Sequence, residues 1–363
     1  MFNLRPHLRR PTAPLTLALM LCCASPALAA QEAPPARGSA TSELQVPAEL
    51  FPVTRVVDGD TIYVERAGQV EKLRLLSVDT EEKLTGNSNL GPNKPETVFG
   101  EECALWAAEF FEARATEEGP ARVGLRFPGG VEARDIYGRL LCHVILDDGT
   151  DFNLLLVQKG KSPYFNKYGN SRICHADFVA AQRAAQAEKL GIWNPATNAA
   201  ATPGAPAAKR PYAKLMPWWQ ARADAIDAFR TASAADPAGH VDSEDPVGLA
   251  AAVKLGEPVR VFGSPYQLFD EQDGSLTVLF RAPDRDQPLR GRISKARRPA
   301  FEAHGIERTT EEFHQNYVWV TGVVTNAAPD ARPGFDLVLD DPQQWALAGP
   351  EPRVLELMPA AHR

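Results

Sequence analysis

Three apolar, β-rich runs lie between residues 53 and 78, and two tight-turn signals, Asp58-Gly59-Asp60 and Ala67-Gly68, separate them. Short runs rich in β-branched side chains and cut by Gly and Asp predict an antiparallel meander, with strands over residues 53–57, 61–64 and 71–78. A helix follows over residues 99–114, where Leu105, Trp106, Phe110 and Phe111 form much of one face. Strands over 123–127 and 139–146 come next, the second ended by Asp147-Asp148-Gly149. Helices over 153–159 and 176–190 are stopped by Gly160 and Gly191. The order β-β-β-α-β-β-α-α predicts a small Greek-key barrel of the OB kind, so the fold class is mainly β with α.

The chain has 363 residues, enough for about two domains that each bury a core. Arg5, Arg9 and Arg10 precede an apolar run over 15–24, and Ala27-Leu28-Ala29 has the small-residue pattern of a signal peptidase site. The run is shorter than the roughly 20 residues of a spanning helix, so residues 1–30 are expected to be a cleaved signal and the protein to be exported, periplasmic or extracellular. Residues 31–47 read as a disordered spacer, 48–195 as the barrel domain, and 196–210 as an Ala/Pro/Thr/Gly linker. Residues 211–350 read as a helix plus a second, OB-like domain, with strands over 258–263, 276–281, 289–293, 317–325 and 335–339. A tail over 351–363 ends the chain.

Loss of the signal removes three arginines and no acids, which takes the net charge from −7 to about −10. So acidic a protein gains nothing from long-range attraction to polyanions. Handling nucleic acid would require local arginines and a bound cation to reverse the field at one site. Cys103, Cys142 and Cys174 remain after cleavage. Three thiols allow one disulfide at most, or act as small buried hydrophobes.

Charged residues cluster at the ends of the predicted strands. Asp60 leaves the first turn, Arg74 lies on the third strand, Asp79 and Thr80 end it, Glu82 follows, and Arg139 starts a later strand. Short carboxylates and a backbone carbonyl are the hard oxygen ligands that calcium takes. Glu82 lies within reach to orient or deprotonate a metal-associated water. Arg74 and Arg139 suit bidentate contact with a phosphate.

At these positions the sequence resembles the staphylococcal nuclease (thermonuclease) family. The matching stretches are Val56-Val57-Asp58-Gly59-Asp60-Thr61, Leu73-Arg74-Leu75-Leu76-Ser77-Val78-Asp79-Thr80 and Asp135-Ile136-Tyr137-Gly138-Arg139. Asp151-Phe152-Asn153 and Lys189-Leu190-Gly191-Ile192-Trp193 resemble the start and end of the family's last helical segments. The likeness covers residues 51–194. It implies a calcium-dependent nuclease acting on DNA and/or RNA, leaving 3′-phosphate and 5′-hydroxyl ends. By motif, Asp60 and Asp79 would be the calcium carboxylates, Thr80 a carbonyl ligand, Glu82 the water-activating residue, and Arg74 and Arg139 the phosphate clamps.

Tyr164 and Tyr168 lie where family members place nucleotide-contacting tyrosines, and base stacking there would be sequence-tolerant. Two departures stand out. Glu81 occupies a position where the family commonly has proline, which would put a second negative charge beside Glu82. Ile136 replaces a phosphate-site lysine. The long loop over 83–97 reads as a flap over the cleft. The basic cluster Arg290, Arg292, Lys295, Arg297 and Arg298 reads as a solvated face, and Trp218 and Trp219 as packing residues. The rival expectation is a non-catalytic nucleic-acid- or protein-binding scaffold that retains the nuclease fold.

Overall fold

The computed structural model describes residues 45–86, 94–135, 137–199, 208–284, 286–307, 317–328 and 332–348. The signal expected over 1–30, most of the spacer, the centre of the linker and of the flap, Ile136 and the tail lie outside them. All described residues belong to one compact unit, Ser42–Arg363. No helix among them is long and apolar enough to cross a membrane.

Five strands close a barrel. β1 (Phe51–Asp58), β2 (Thr61–Arg66) and β3 (Gln69–Leu75) form the meander, β3 pairs in parallel with β5 (Leu140–Ile145), and β4 (Arg122–Arg126) joins β5 back to β1. Ile62, Val64, Leu73, Leu75, Val123, Leu140 and Val144 fill the interior. Helix α1 (Val98–Glu112) adds Cys103, Ala107 and Phe111, which share one face at four-residue spacing. Helices α2 (Phe152–Gln158) and α3 (His175–Ala187) pack against each other and the barrel. The three cysteines are free and buried, as small hydrophobes.

Two glycines fix where the site lies. A Cβ on Gly59 would meet Cys103 Sγ and Thr80 Cγ2 at 2.6 Å, so the β1–β2 turn fits tightly under α1 and the Thr80 side chain. A Cβ on Gly100 would overlap the Glu82 carbonyl oxygen, so the first turn of α1 rests directly on the backbone of Glu82.

The third strand ends at Leu75, three residues earlier than the sequence pattern suggests. Ser77 adopts a left-handed conformation (φ 66°), and Asn153 Nδ2 donates to the Leu76 carbonyl. The chain therefore leaves the sheet, and Val78 pairs instead with Tyr164. This departure carries Asp79 and Thr80 across the barrel mouth toward Asp60.

After the barrel, α4 (Tyr212–Ala235) packs Leu215 and Trp219 against Phe165 of the barrel domain. Farther along, its Ile226 and Phe229 pack against Phe262 and Tyr317. Beyond it the strands form two sheets where a second OB-like barrel was expected. One orders β12 (Val324–Asn326), β13 (Phe335–Val338), β10 (Leu289–Ile293), β9 (Leu276–Phe280) and β8 (Pro265–Asp270). The other orders β14 (Trp345–Leu347), β11 (Val318–Gly322), β7 (Val259–Gly263) and β6 (His240–Asp242). Helices α5 (Pro246–Leu255) and α6 (Arg298–His304) accompany them. Four of the expected strands are present, and the fifth, expected over 317–325, is divided at Val323 into β11 and β12, which lie in different sheets. The additional β6, β8 and β14 are three-residue pieces or a half-exposed strand, too short or too polar to give a period-2 signal.

Candidate active site

Asp60 opens β2 and is almost fully buried. Its Oδ2 accepts the Thr80 backbone N–H at 3.0 Å and its Oδ1 accepts the Thr61 hydroxyl at 3.1 Å. Arg74, on the partner strand of the same hairpin, faces it directly because Thr61 and Arg74 are register partners in the β2–β3 pairing. The guanidinium bridges two acids: Nη1 pairs with Asp60 Oδ1, and Nη2 donates to Asp79 Oδ1 at 2.6 Å. One planar cation thus joins the two carboxylates expected to hold a metal.

Two cations that the sequence reading did not single out complete the cluster. Lys94 Nζ lies 3.2 Å from Asp79 Oδ1 and 2.5 Å from Glu82 Oε1. Arg210 reaches in from the segment just before α4. Its Nη1 donates to the Asp79 carbonyl oxygen at 3.0 Å and its Nη2 pairs with Asp79 Oδ2. Neither belongs to a recognisable motif; Lys94 lies in the long loop and Arg210 is the second residue of the Lys-Arg pair that ends the linker.

The electrostatics follow from this packing. Burial works to raise the Asp60 carboxyl, but the charge of Arg74, that of Lys94 and the Arg74 hydrogen bond together outweigh it and leave the group below its ordinary range. Asp79 is likewise opposed by burial, yet Lys94, Arg210 and Arg74 together hold it well below that range. Asp58, two residues before Asp60, feels the charge of Arg74 more weakly than it feels its own burial. Burial and the charge of Asp60 push it up to about 7.

Glu82 is partly open to solvent, on the Lys94 side. Its neighbour Glu81 does not stand beside it, contrary to the expectation from sequence. Glu82 forms a β-bridge with Glu96, and in extended chain successive side chains point to opposite faces. Glu81 is therefore turned inward, where its carboxylate accepts the Thr97 hydroxyl and, at 2.7 Å, Asn198 Nδ2–H. Thr97 is the N-cap of α1 and accepts the Gly100 N–H at 2.9 Å, so Glu81 ties the helix start to the end of the barrel domain.

Arg139 is held elsewhere on the rim. Its Nε and Nη2 lie 2.7 and 2.6 Å from Asp135 Oδ2, and Asp135 Oδ1 accepts the backbone N–H groups of Tyr137 and Arg139. Tyr168 stands within the fields of Arg74, Arg139 and Arg281, with the Arg281 guanidinium 4.8 Å from its ring. A cavity of about 910 Å³ borders this tyrosine, lined also by Asp135, Arg172, Arg230 and Arg281, but not by Asp60 or Asp79. Tyr164 differs from expectation: its ring stacks on Phe178 at 4.9 Å, and its hydroxyl accepts the Ser171 N–H and meets His175 Nδ1 at 2.7 Å. It is a core residue, committed on both its ring face and its hydroxyl.

The remaining candidates behave as packing or surface charge. Arg290 pairs with Asp336, and Arg298 with Glu302 and Asp270. His143 and Asp151 form a buried pair at 2.7 Å with Cys174 beside them, and Asp151 also caps α2 through Asn153 and Leu154. His143 Nε2 is buried without a hydrogen-bond partner among the described residues, and the ligand atoms of the three side chains lie within 4.8 Å of one another.

The Asp60, Asp79 and Glu82 donors are hard carboxylate oxygens, and the Thr80 peptide touches Asp60. That Arg74 spans both aspartates shows them converging on one cation. The donor set fits a hard divalent ion.

A closed five-stranded barrel with acids and an arginine at its mouth defines an OB-type domain with a charged cluster on its rim. The family described as "Staphylococcal nuclease homologue" matches residues 72–195. A thermonuclease of Staphylococcus intermedius is 34% identical over 154 residues, covering 42% of this chain and 80% of that protein. A thermonuclease of Staphylococcus hyicus is 31% identical over 147 residues, covering 40% and 76%. Endonuclease YhcR of Bacillus subtilis is 33% identical over 144 residues, covering 39% of this chain and 11% of its own. The chain belongs to the staphylococcal nuclease family.

Proposed function

We propose that this protein is an exported, calcium-dependent nuclease that hydrolyses phosphodiester bonds of DNA and/or RNA, leaving 3′-phosphate and 5′-hydroxyl ends. The observation that carries the reading is the Asp60–Arg74–Asp79 bridge at the mouth of the family's barrel. The relatives named as thermonucleases and an endonuclease support the reaction class, and the arginine-rich, apolar start of the sequence supports export.

In this reading Asp60, Asp79 and the Thr80 carbonyl hold the calcium ion, which supplies charge neutralisation and a polarised water when bound. Glu82, the acid with an open side, accepts a proton from the attacking water. Arg74 and Arg139 neutralise the charge that builds on the phosphate as the pentacovalent state forms. Tyr168, amid their fields, borders the path of the nucleotide, and its ring offers a stacking face.

The test is incubation of the chain from residue 31 onward with single-stranded DNA at mildly alkaline pH, with calcium and then with excess chelator. Cleavage that needs calcium and leaves ends open to 5′-phosphorylation supports the proposal; no calcium-dependent cleavage sinks it. One observation favours the rival scaffold reading: Arg74, Lys94 and Arg210 already compensate the three acids. Nucleic-acid binding without turnover would identify that case.

A further inference from the structure

Asp79 is gripped from two directions. Its Oδ1 faces Arg74 and Lys94, at the barrel mouth, while Arg210 holds Oδ2 and the main-chain carbonyl of the same residue. The three cations differ in how firmly they are held. Lys94 is more than a third exposed and extends from the long loop. Arg74 has a second duty in the proposed reaction, as a phosphate clamp. Arg210 is buried, with the rings of Trp219 and Tyr212 at 5.3 and 5.7 Å from its guanidinium carbon.

Arg210 also lies outside the stretch that matches the family, which ends at residue 195. Its position is set by the elements that follow. Arg210 shortly precedes α4, and Trp219, on that helix, packs against Phe165 of the barrel domain. The barrel thus receives a fixed cation from the C-terminal part of the chain.

We infer that Arg210 is a further residue of the site that sets its affinity for the divalent cation: the C-terminal part of the chain holds a permanent positive charge on Asp79 and thereby weakens metal binding. The inference rests on the proposed metal site. When a divalent ion approaches Oδ1, Lys94 can swing to solvent and Arg74 can turn to phosphate, but Arg210 stays. Two effects oppose each other. The grip on Asp79 pre-orients the carboxylate, which favours the ion. The charge repels the ion through one carboxylate in a buried setting, where such interactions are several-fold stronger than in water. A single rotamer's ordering is the smaller of the two, so repulsion sets the sign.

The experiment is calorimetric titration of the chain from residue 31 onward with calcium chloride, without substrate, and with melting curves to establish folding. Wild type is compared with Arg210→Met, Arg210→Gln and Arg210→Lys, and Asp60→Asn serves as the site control. Arg210→Gln keeps a donor for Asp79 and stands in if Arg210→Met does not fold. The neutral variants are expected to bind calcium at least tenfold more tightly, and Arg210→Lys to stay within threefold of wild type. Calcium binding in wild type that Asp60→Asn abolishes, with neutral variants equal to or weaker than wild type, overturns the inference alone. Tightening in Arg210→Lys equal to that in the neutral variants overturns it too, since the charge would then not be responsible. No calcium binding in wild type or in the neutral variants, or binding indifferent to Asp60→Asn, overturns the metal site beneath it.

Discussion

Glu81 and Glu82 are neighbours in sequence and face opposite ways: one carboxylate is buried against Thr97 and Asn198, and the other meets Lys94 at the open rim. In the proposed reaction the pair divides stability from chemistry across one peptide bond.

Glu81→Ala removes the acceptor for the Thr97 hydroxyl and for Asn198, leaving two donors without it. Losing one partner of a buried hydrogen bond costs about 1–3 kcal/mol, so unfolding in urea should move to lower denaturant by that amount. Cleavage per folded molecule should hold, because Glu81 points away from Asp60 and Asp79. A large loss of turnover with unchanged stability would place Glu81 in the chemistry after all.

Gly100→Ala is a sharper steric test. Its Cβ would overlap the Glu82 carbonyl oxygen, a backbone atom that yields only if the start of α1 or the Glu82 strand shifts. Overpacking of this kind costs about 1–3 kcal/mol. Because Glu82 moves with its backbone, turnover should fall together with melting temperature. Gly86→Ala, whose Cβ meets open space at positive φ, should strain only its own backbone and leave turnover nearly intact.

Most of the barrel was legible in the sequence because its strands are short, β-branched and cut by Gly and Asp turns. Asp60, Arg74, Asp79 and Thr80 contact one another and Lys94 links Glu82 to Asp79, whereas Arg139 is held apart by Asp135. What was not legible depends on distant chain. Lys94 and Arg210 find Asp79 from a loop and from the end of the linker, and no local period marks either. Tyr164 reads, by resemblance, as a nucleotide-contacting tyrosine until Phe178 and His175 are folded against it. The early end of β3 turns on Ser77, a residue with no intrinsic preference for the left-handed conformation that it adopts. The C-terminal sheets escaped because β6 and β14 carry only three residues each.

Arg74 and Arg139 should fail differently. Arg139→Ala leaves the buried Asp135 with two backbone donors still in place, so most of the loss falls on turnover: about 10²–10³-fold, as for other preorganised electrostatic donors. Arg74→Ala leaves two buried aspartates short of their shared partner, and breaking a buried pair costs about 3–5 kcal/mol. Its melting temperature in chelator should drop steeply, and added calcium should restore more stability to it than to wild type. Equal calcium responses in the two proteins would show that the metal does not take over the bridge that Arg74 makes.

Acid–base titration of stability offers a test away from the barrel. Burial, and then the charge of Asp242, pushes the Glu244 carboxyl from its ordinary 4.5 up to about 7. A carboxyl with a raised folded value binds its proton more tightly in the folded state than in the unfolded one. Its contribution is therefore fully present below about pH 4.5 and is lost as pH rises through about 7. Each tenfold difference in proton affinity between the two states is worth about 1.4 kcal/mol. Between pH 5 and pH 8.5 the change in stability is on the order of 2 kcal/mol for this pair. Glu244→Gln carries no charge at either pH. It should gain stability relative to wild type at pH 8.5 and little at pH 5, read from urea unfolding at both. A gain that is the same at the two pH values would mean that Glu244 stays ionised throughout, and that Arg281 and Arg172, which work to lower it, outweigh its burial.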